Sequence, residues 1–429
     1  MNKSTSIAYM AAFLAIIFGF AVASVLTPDQ EFSTAENRAL SKPPALSMEA
    51  IANRTFFEDM NQYVNDQLVI RDQMVRLYQL QQNSALFNSM LFENLLRAKE
   101  PHAPEDGTRI KDSRLISNLV VTNRKWILPA TDPVVHTDRI DEAAAKLNDA
   151  VLFANERHTE TFFIFNPSRT KALMHLYPTS MQTDAYARSK AYFLSKLHKE
   201  MNVVNIGDRF DAYTRAQLEE LYFETDHHWN IKGAFAAYQE MISQLSAKSS
   251  KFEGQPLSLS DIRVSRLSTG SFEGSYNSQI NYAVNPRKAD RTVIYEPKAP
   301  FEFDRFEVID KDGQRLLTGF NDFYGFKRGR STYSYGKIYG GDRRMITYEN
   351  SNAGNSLNVL LLKDSFMNPL TPYLARHFNK LTVMDSRYYS EFSLRQVLTS
   401  ERFDLLLIAF HDDNLFSDTY NFEKSVREE

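Results

Sequence analysis

From about Leu115 onward, short apolar runs alternate with segments whose apolar residues recur at every third or fourth position. Runs rich in β-branched and aromatic residues fall at 161–165, 202–206, 357–362, 380–384 and 404–410. Helical periodicity fills the spaces between them, at about 139–155, 184–199, 231–245, 369–378 and 394–399. Strands this uninterrupted, separated by amphipathic helices, predict a parallel sheet covered on both faces. Nearer the N-terminus, residues 48–99 read as helical, with Phe56, Met60, Tyr63, Val64 and Leu68 on one face and helical character continuing through 73–96. The stretch 257–348 breaks the rhythm. It is rich in Tyr, Phe, Gly and Arg and reads as short strands and loops, an insertion carrying part of a substrate groove. Within it, 306–309 and 315–317 flank Asp310-Lys311-Asp312-Gly313 and predict a hairpin. The two aspartates start like a calcium loop, but the later ligands are missing, so the segment reads as a turn.

The first apolar run differs in kind. Residues 7–26 carry no charge, and Lys3 is the one charge before them. That length matches the roughly 20 residues needed to span a bilayer. Ala21-Val22-Ala23 also resembles a small-residue cleavage site, so anchor and signal peptide both remain open, and a buried core helix is the bland alternative. The positive charge ahead of the run places Met1 in the cytoplasm and the residues after Thr27 outside. The organisation expected is therefore a membrane anchor or signal segment at 1–27, an extended linker at 28–47, a helical region at 48–114, and an α/β domain at 115–429 with its insertion at about 257–348.

Composition narrows the chemistry. Of 429 residues, 43% are hydrophobic, enough for a large core, and the net charge of −3 offers no basic footprint for nucleic acid. Cysteine is absent, which fits export and removes thiol nucleophiles and thiolate metal sites.

Two polar clusters carry the candidate chemistry. Asp226-His227-His228-Trp229 precedes Asn230, a good N-cap, and a helical stripe of Ile231, Phe235, Tyr238, Met241, Ile242 and Leu245. A carboxylate two residues before a histidine can accept the imidazole Nδ1–H and leave Nε2 to take a proton, while Trp229 could pack under the ring. Asp226, His227 and His228 are also possible metal ligands, although neighbouring loop histidines seldom both reach one ion. The alternative without function is a capped loop of buried, hydrogen-bonded histidines. The second cluster is Asp364-Ser365-Phe366, where the apolar run 357–362 breaks before Asn368-Pro369, a recognisable helix start. Ligands of parallel sheets bind beyond the carboxyl ends of strands, where Ser365 falls, and helix-start amides there can stabilise an oxyanion. Glycine-rich nucleotide motifs and the Gly-x-Ser-x-Gly elbow are missing.

With these residues the chain resembles the DHHW protein family, relatives of the alginate O-acetyltransferases. The resemblance runs through Glu36-Asn37-Arg38, Phe165-Asn166-Pro167-Ser168-Arg169, Thr225 to Trp229, Tyr339-Gly340-Gly341-Asp342, Asp364-Ser365-Phe366 and Asp385-Ser386-Arg387-Tyr388-Tyr389. It implies a permuted SGNH-hydrolase-like three-layer sandwich with a central parallel sheet, an N-terminal helical region and a β-rich insertion. It implies Ser365 as nucleophile, His228 as base and Asp226 as its orienter, with Gly340 and Gly341 where oxyanion donors sit. Arg169 stands where the family often has lysine, keeping charge without a titratable amine. The activity implied is an exported serine O-acetyltransferase acting on a polysaccharide or other envelope glycopolymer. Its acetyl donor would come through a membrane-bound O-acyltransferase, with no metal or soluble cofactor. The same residues would serve a carbohydrate esterase or deacetylase, and a non-catalytic glycan-binding or assembly protein would keep the fold without the reaction.

Overall fold

The computed structural model describes residues 10, 13–14, 18–19, 22–24, 26–30, 32–33, 38–52, 54–69 and 71. It then describes 113–424 apart from 117, 124, 268–270, 281–289, 291–292, 325–331, 390 and 417. The chain divides into two compact units, Met1–Gly107 with Ser275–Ala283, and Thr108–Gly274 with Val284–Glu429.

In the first unit, the described positions of segment 7–26 are helical, and Met10, Phe13, Phe18 and Val22 are exposed. The rest of that segment, and the expected helix at 73–96, lie outside the described residues. Among those described, no helix is long and apolar enough to cross a membrane. Helices follow at Met48–Ala52 and Thr55–Asp66; the second half-buries Phe56, Met60 and Tyr63, whereas Val64 and Leu68, expected on the same face, are exposed. The 28–47 stretch is not a free spacer. Phe32–Ser33 pairs with Arg38–Ala39, and the buried Asp66 carboxylate accepts from both the amide and the hydroxyl of Ser41 at 2.9 Å.

The second unit begins with an antiparallel meander, β1 (Ser113–Ile116), β2 (Leu119–Thr122) and β3 (Trp126–Pro129). The alternating pattern expected from Leu115 therefore starts later, with α1 (Thr137–Glu156), β4 (Glu160–Asn166), α2 (Ala185–Lys196), β5 (Asn202–Asn205) and α3 (Ile231–Lys248). The insertion supplies β6 (Arg305–Ile309), β7 (Arg315–Leu316), the short helix α4 (Tyr335–Ile338) and β8 (Met345–Glu349). The last third supplies β9 (Asn358–Lys363), α5 (Thr371–Ala375), β10 (Lys380–Met384), α6 (Leu394–Ser400) and β11 (Leu405–His411).

One eight-stranded sheet gathers these in the order β7-β6-β8-β10-β9-β11-β4-β5. Strands β10, β9, β11, β4 and β5 run parallel, as their apolar composition requires, whereas β8, β6 and β7 join antiparallel. The sheet is thus mixed rather than purely parallel, because the insertion extends it. The predicted hairpin is present, with Val308 opposite Leu316 and Gly313 at φ 83°.

Alternation along β4, β9 and β11 sends side chains into two separate cores. Phe162, Ile164, Leu361 and Leu407 pack with the apolar face of α3. Phe163, Phe165, Leu360 and Ile408 pack with Ile140, Leu147 and Val151 of α1.

Gly233, in the first turn of α3, has no room for a side chain, because a Cβ would collide with the Leu221 carbonyl and press on Trp229. A Gly233→Ala variant is expected to lose about 1–3 kcal/mol through overpacking, against the usual gain from alanine in a helix. Thermal unfolding checks this, and a raised melting temperature would contradict it.

Candidate active site

Both sequence clusters lie on segments that leave or enter the core elements. The loop before α3 doubles back on itself: Phe223 N donates to His228 O at 3.3 Å, and Asn230 N to Leu221 O at 2.9 Å. Asn230 caps α3 as expected, accepting from Lys232 N at 2.9 Å. Between these closures the loop turns Asp226 and His228 inward, where they are 2% and 4% exposed. After β9 the chain enters a 3₁₀ turn, Ser365–Met367, capped by the Asp364 carboxylate on Phe366 N at 3.0 Å. The helix expected from Asn368-Pro369 begins only at Thr371. Its start moves because Asn368 spends its side chain on Lys363 and Asp342 instead of on capping.

The two segments meet although 137 positions separate His228 from Ser365. Nδ1 of His228 lies 2.6 Å from Asp226 Oδ1, and Nε2 lies 2.8 Å from Ser365 Oγ. A carboxylate only accepts, so Nδ1 carries the proton and Nε2 presents its lone pair to the serine hydroxyl. The Asp226 carboxylate also accepts from the His228 amide at 3.1 Å. Ser365 is 8% exposed, the most open of the three. This arrangement can accept the serine proton and steady the resulting imidazolium.

Other residues hold the site in place. The Tyr335 ring lies flat on the His228 imidazole, with centroids 3.5 Å apart at 2°, and its hydroxyl donates to Ser365 O at 2.6 Å. That stacking role was expected of Trp229. Trp229 is instead fully buried, sits edge-on to Phe366 and donates its indole N–H to Phe366 O at 2.8 Å. Arg169 is 1% exposed and directs its guanidinium to the carbonyls of Asp226 and Glu224, bracing the loop from within. Asp290 clasps the same loop, accepting from Thr225 N at 3.0 Å and from Glu224 N and the Thr225 hydroxyl. Burial pushes its carboxyl up to about 7.

Gly340 and Gly341 follow α4 at φ 76° and 67°. The Phe323 ring fills the space a side chain would need at Gly340, and among the described residues neither glycine amide is hydrogen-bonded to Ser365.

The His227 ring tilts against that of His228 with centroids 3.7 Å apart, and His227 is held well below the usual imidazole range, by burial first and then by the neighbouring His228. The ligand atoms of Asp226, His227 and His228 lie within 4.8 Å of one another.

A second aspartate–histidine pair stands on the other side of Phe366. His411 Nδ1 lies 2.7 Å from Asp364 Oδ2, which also accepts from the His411 amide at 2.8 Å, and the His411 ring stacks on Phe366 at 4.5 Å. Its sequence signal was a polar residue closing an apolar strand, like the one that ends at Lys363 before Asp364. Burial disfavours both charges, but mutual attraction outweighs it, holding Asp364 down at about 2 and raising His411. Stability from the lowered Asp364 is complete above its ordinary 3.8 and fades as pH falls toward 2. Stability from the raised His411 is complete below 6.5 and fades as pH rises through its folded value. The destabilisation of His411→Gln relative to the parent chain should therefore peak between about pH 4 and 6.5 and shrink on either side. Chemical denaturation across pH 2–9 tests this, and a pH-independent difference would refute the ion pair.

The DHHW protein family model matches residues 151–384. No curated protein sequence matches the chain. Over 71% of its length the chain superposes on Bacillus cereus PatB1, covering 99% of it, at 29% identity and a TM-score of 0.66. The same protein solved with a sulfonyl adduct gives 28% and 0.64. A DHHW family protein from Eubacterium siraeum DSM 15702 is 18% identical with a TM-score of 0.57, over 72% of this chain and 97% of that one. The O-acetyltransferase domain of Pseudomonas putida AlgJ is 10% identical with a TM-score of 0.41, over 71% of this chain and 96% of that one. With more than half its residues matched by the family model, and with its aspartate, histidines and tryptophan at 226–229, the chain belongs to the DHHW protein family.

Proposed function

We propose that the protein is an extracytoplasmic serine O-acetyltransferase modifying a polysaccharide or other envelope glycopolymer, with Ser365 as nucleophile, His228 as general base and Asp226 as its orienter. The observation that carries this reading is the continuous Asp226–His228–Ser365 hydrogen-bonded line, 2.6 Å and then 2.8 Å. PatB1 supplies a second support, since a sulfonyl adduct is what an activated hydroxyl forms with a sulfonyl electrophile. Apolar clusters on both sheet faces support a three-layer, SGNH-hydrolase-like frame, and the uncharged 7–26 segment supports export.

In the first half-reaction Nε2 of His228 takes the Ser365 proton as Oγ bonds to the acetyl carbonyl carbon of the donor. The tetrahedral intermediate collapses, the bond to the donor oxygen breaks, and the imidazolium returns the proton to that leaving oxygen. In the second half-reaction a sugar hydroxyl gives its proton to Nε2 and attacks the acetyl-serine. Ser365 Oγ leaves with the proton from His228, and the acetylated acceptor departs. Asp226 keeps the imidazole in the productive tautomer throughout. Water in place of the sugar would give an esterase by the same steps. The donor would arrive through a membrane-bound partner.

Ser365→Ala should lower turnover of a chromogenic acetyl ester by on the order of 10³-fold or more, and Asp226→Asn should be similarly severe. Acetylation of an added oligosaccharide acceptor, read by mass spectrometry, marks the transferase. Acetate release alone would mark the esterase, and retained turnover in Ser365→Ala would overturn the assignment.

A further inference from the structure

The segments Gly340-Gly341-Asp342 and Asp385-Ser386-Arg387-Tyr388-Tyr389 take no part in the steps above, yet folding joins them around the serine turn. Lys363, the last residue of β9, directs Nζ to Asn368 Oδ1 at 2.7 Å and lies 3.2 Å from Asp385 Oδ2 and 3.7 Å from Asp342 Oδ1. Asn368 Nδ2 donates to Asp342 Oδ1 at 2.9 Å, and the Tyr388 hydroxyl donates to Asp342 Oδ2 at 2.9 Å. Arg387 grips Asp385 with a fork, Nε at 2.8 Å and Nη2 at 2.7 Å.

We propose that Asp342, Lys363, Asn368, Asp385, Arg387 and Tyr388 form a positioning network that fixes turn 363–368 and so sets the place of Ser365 Oγ before His228. The Lys363–Asn368 contact ties the two ends of the turn together, and Asp342 and Asp385 hold that tie from outside it. The Tyr335 hydroxyl fixes the carbonyl at its centre. Lys363, Asn368 and Asp385 are buried, and their polar groups are spent on one another and on Asp342 and Arg387. Stability alone is a weak reason for such a cluster, because burying paired charges recovers little beyond its own desolvation cost. A defined geometry is what it delivers: a reacting oxygen displaced by about 1 Å can cost on the order of 100-fold in rate. Burial works against the Asp342 carboxylate, yet Lys363 and then Arg387 hold it well below the usual range.

The kinetic part of this inference rests on Ser365 being the nucleophile, whereas its geometric part does not. Asp342→Asn in the full chain is expected to stay folded by circular dichroism while amide hydrogen exchange across 364–368 accelerates about tenfold. Labelling of Ser365 by an arylsulfonyl fluoride, and kcat, should fall about tenfold with KM within about twofold. Tyr388→Phe removes one hydroxyl from the network and should move both readouts in the same direction by about threefold, which keeps the test valid if Asp342→Asn misfolds. Unchanged exchange and kcat with a raised KM would overturn the inference in favour of substrate contact. A lowered melting temperature with unchanged exchange and labelling would overturn it in favour of bulk stability. Faster exchange in a chain whose parent Ser365 resists labelling would uphold the positioning of the turn and remove the nucleophile assignment instead.

Discussion

The structure of the site follows from one constraint: the central strand β9 runs out of apolar residues while still inside the protein. Val359 to Leu362 are buried among β10 and β11, and the next residues, Lys363, Asp364 and Ser365, are buried too. Polar groups removed from water need partners, or each costs of the order of kilocalories. Some partners are local, Asn368 for Lys363 and the Phe366 amide for Asp364, but the others come from distant parts of the chain. Asp342 and Asp385 meet Lys363, His411 meets Asp364, and His228 meets Ser365. Satisfying the end of one strand draws the rest of the constellation together.

The two histidines near that strand end are treated in opposite ways, and their partners explain why. His411 meets the Asp364 carboxylate, and the two settle as an ion pair closing the turn. His228 is held between a carboxylate on one ring nitrogen and a hydroxyl on the other, which leaves Nε2 as the acceptor. The flat Tyr335 ring and the neighbouring rings of His227 and Phe366 limit how that imidazole can tilt. On the proposed reading, one histidine is a fixed charge and the other a working base.

Much of this was legible in the chain before folding. The apolar runs at 161–165, 202–206, 357–362, 380–384 and 404–410 each became a parallel strand within a residue or two, since burial on both faces leaves a composition that few other elements share. The pairing of Asp226 with His228 was legible because both lie on one short loop. Tyr335 was not. Its place on His228 depends on how the insertion returns to the sheet, and nothing in the local pattern around 335 distinguishes it from the many other tyrosines of that stretch. Trp229 was read as packing under the His228 ring, a face that folding gives to Tyr335, and both Trp229 and Arg169 are buried against the loop backbone. A large aromatic ring and a guanidinium fork beside an inward-turning loop are the groups best able to fill space and satisfy its carbonyls. The insertion was read from its composition only as short strands and loops carrying part of a substrate groove. The sheet accepts them at one end, where an antiparallel strand needs only one buried face.

Sequence distance therefore has little bearing on how this site is built, and sheet order has a great deal. Asn166, His411, Lys363 and Met384 close the adjacent parallel strands β4, β11, β9 and β10, so whatever follows each strand emerges on the same edge. Carboxyl edges of parallel strands are where such folds place their chemistry. The Asp226–His228 loop ends no strand of this sheet. It reaches the edge because α3, which it precedes, packs across the sheet face, and because Trp229 anchors that junction to Phe366 beside the serine. A nucleophile late in the chain and a base in its middle need no special connection to meet: the strand order places one, and the packing of a single helix places the other.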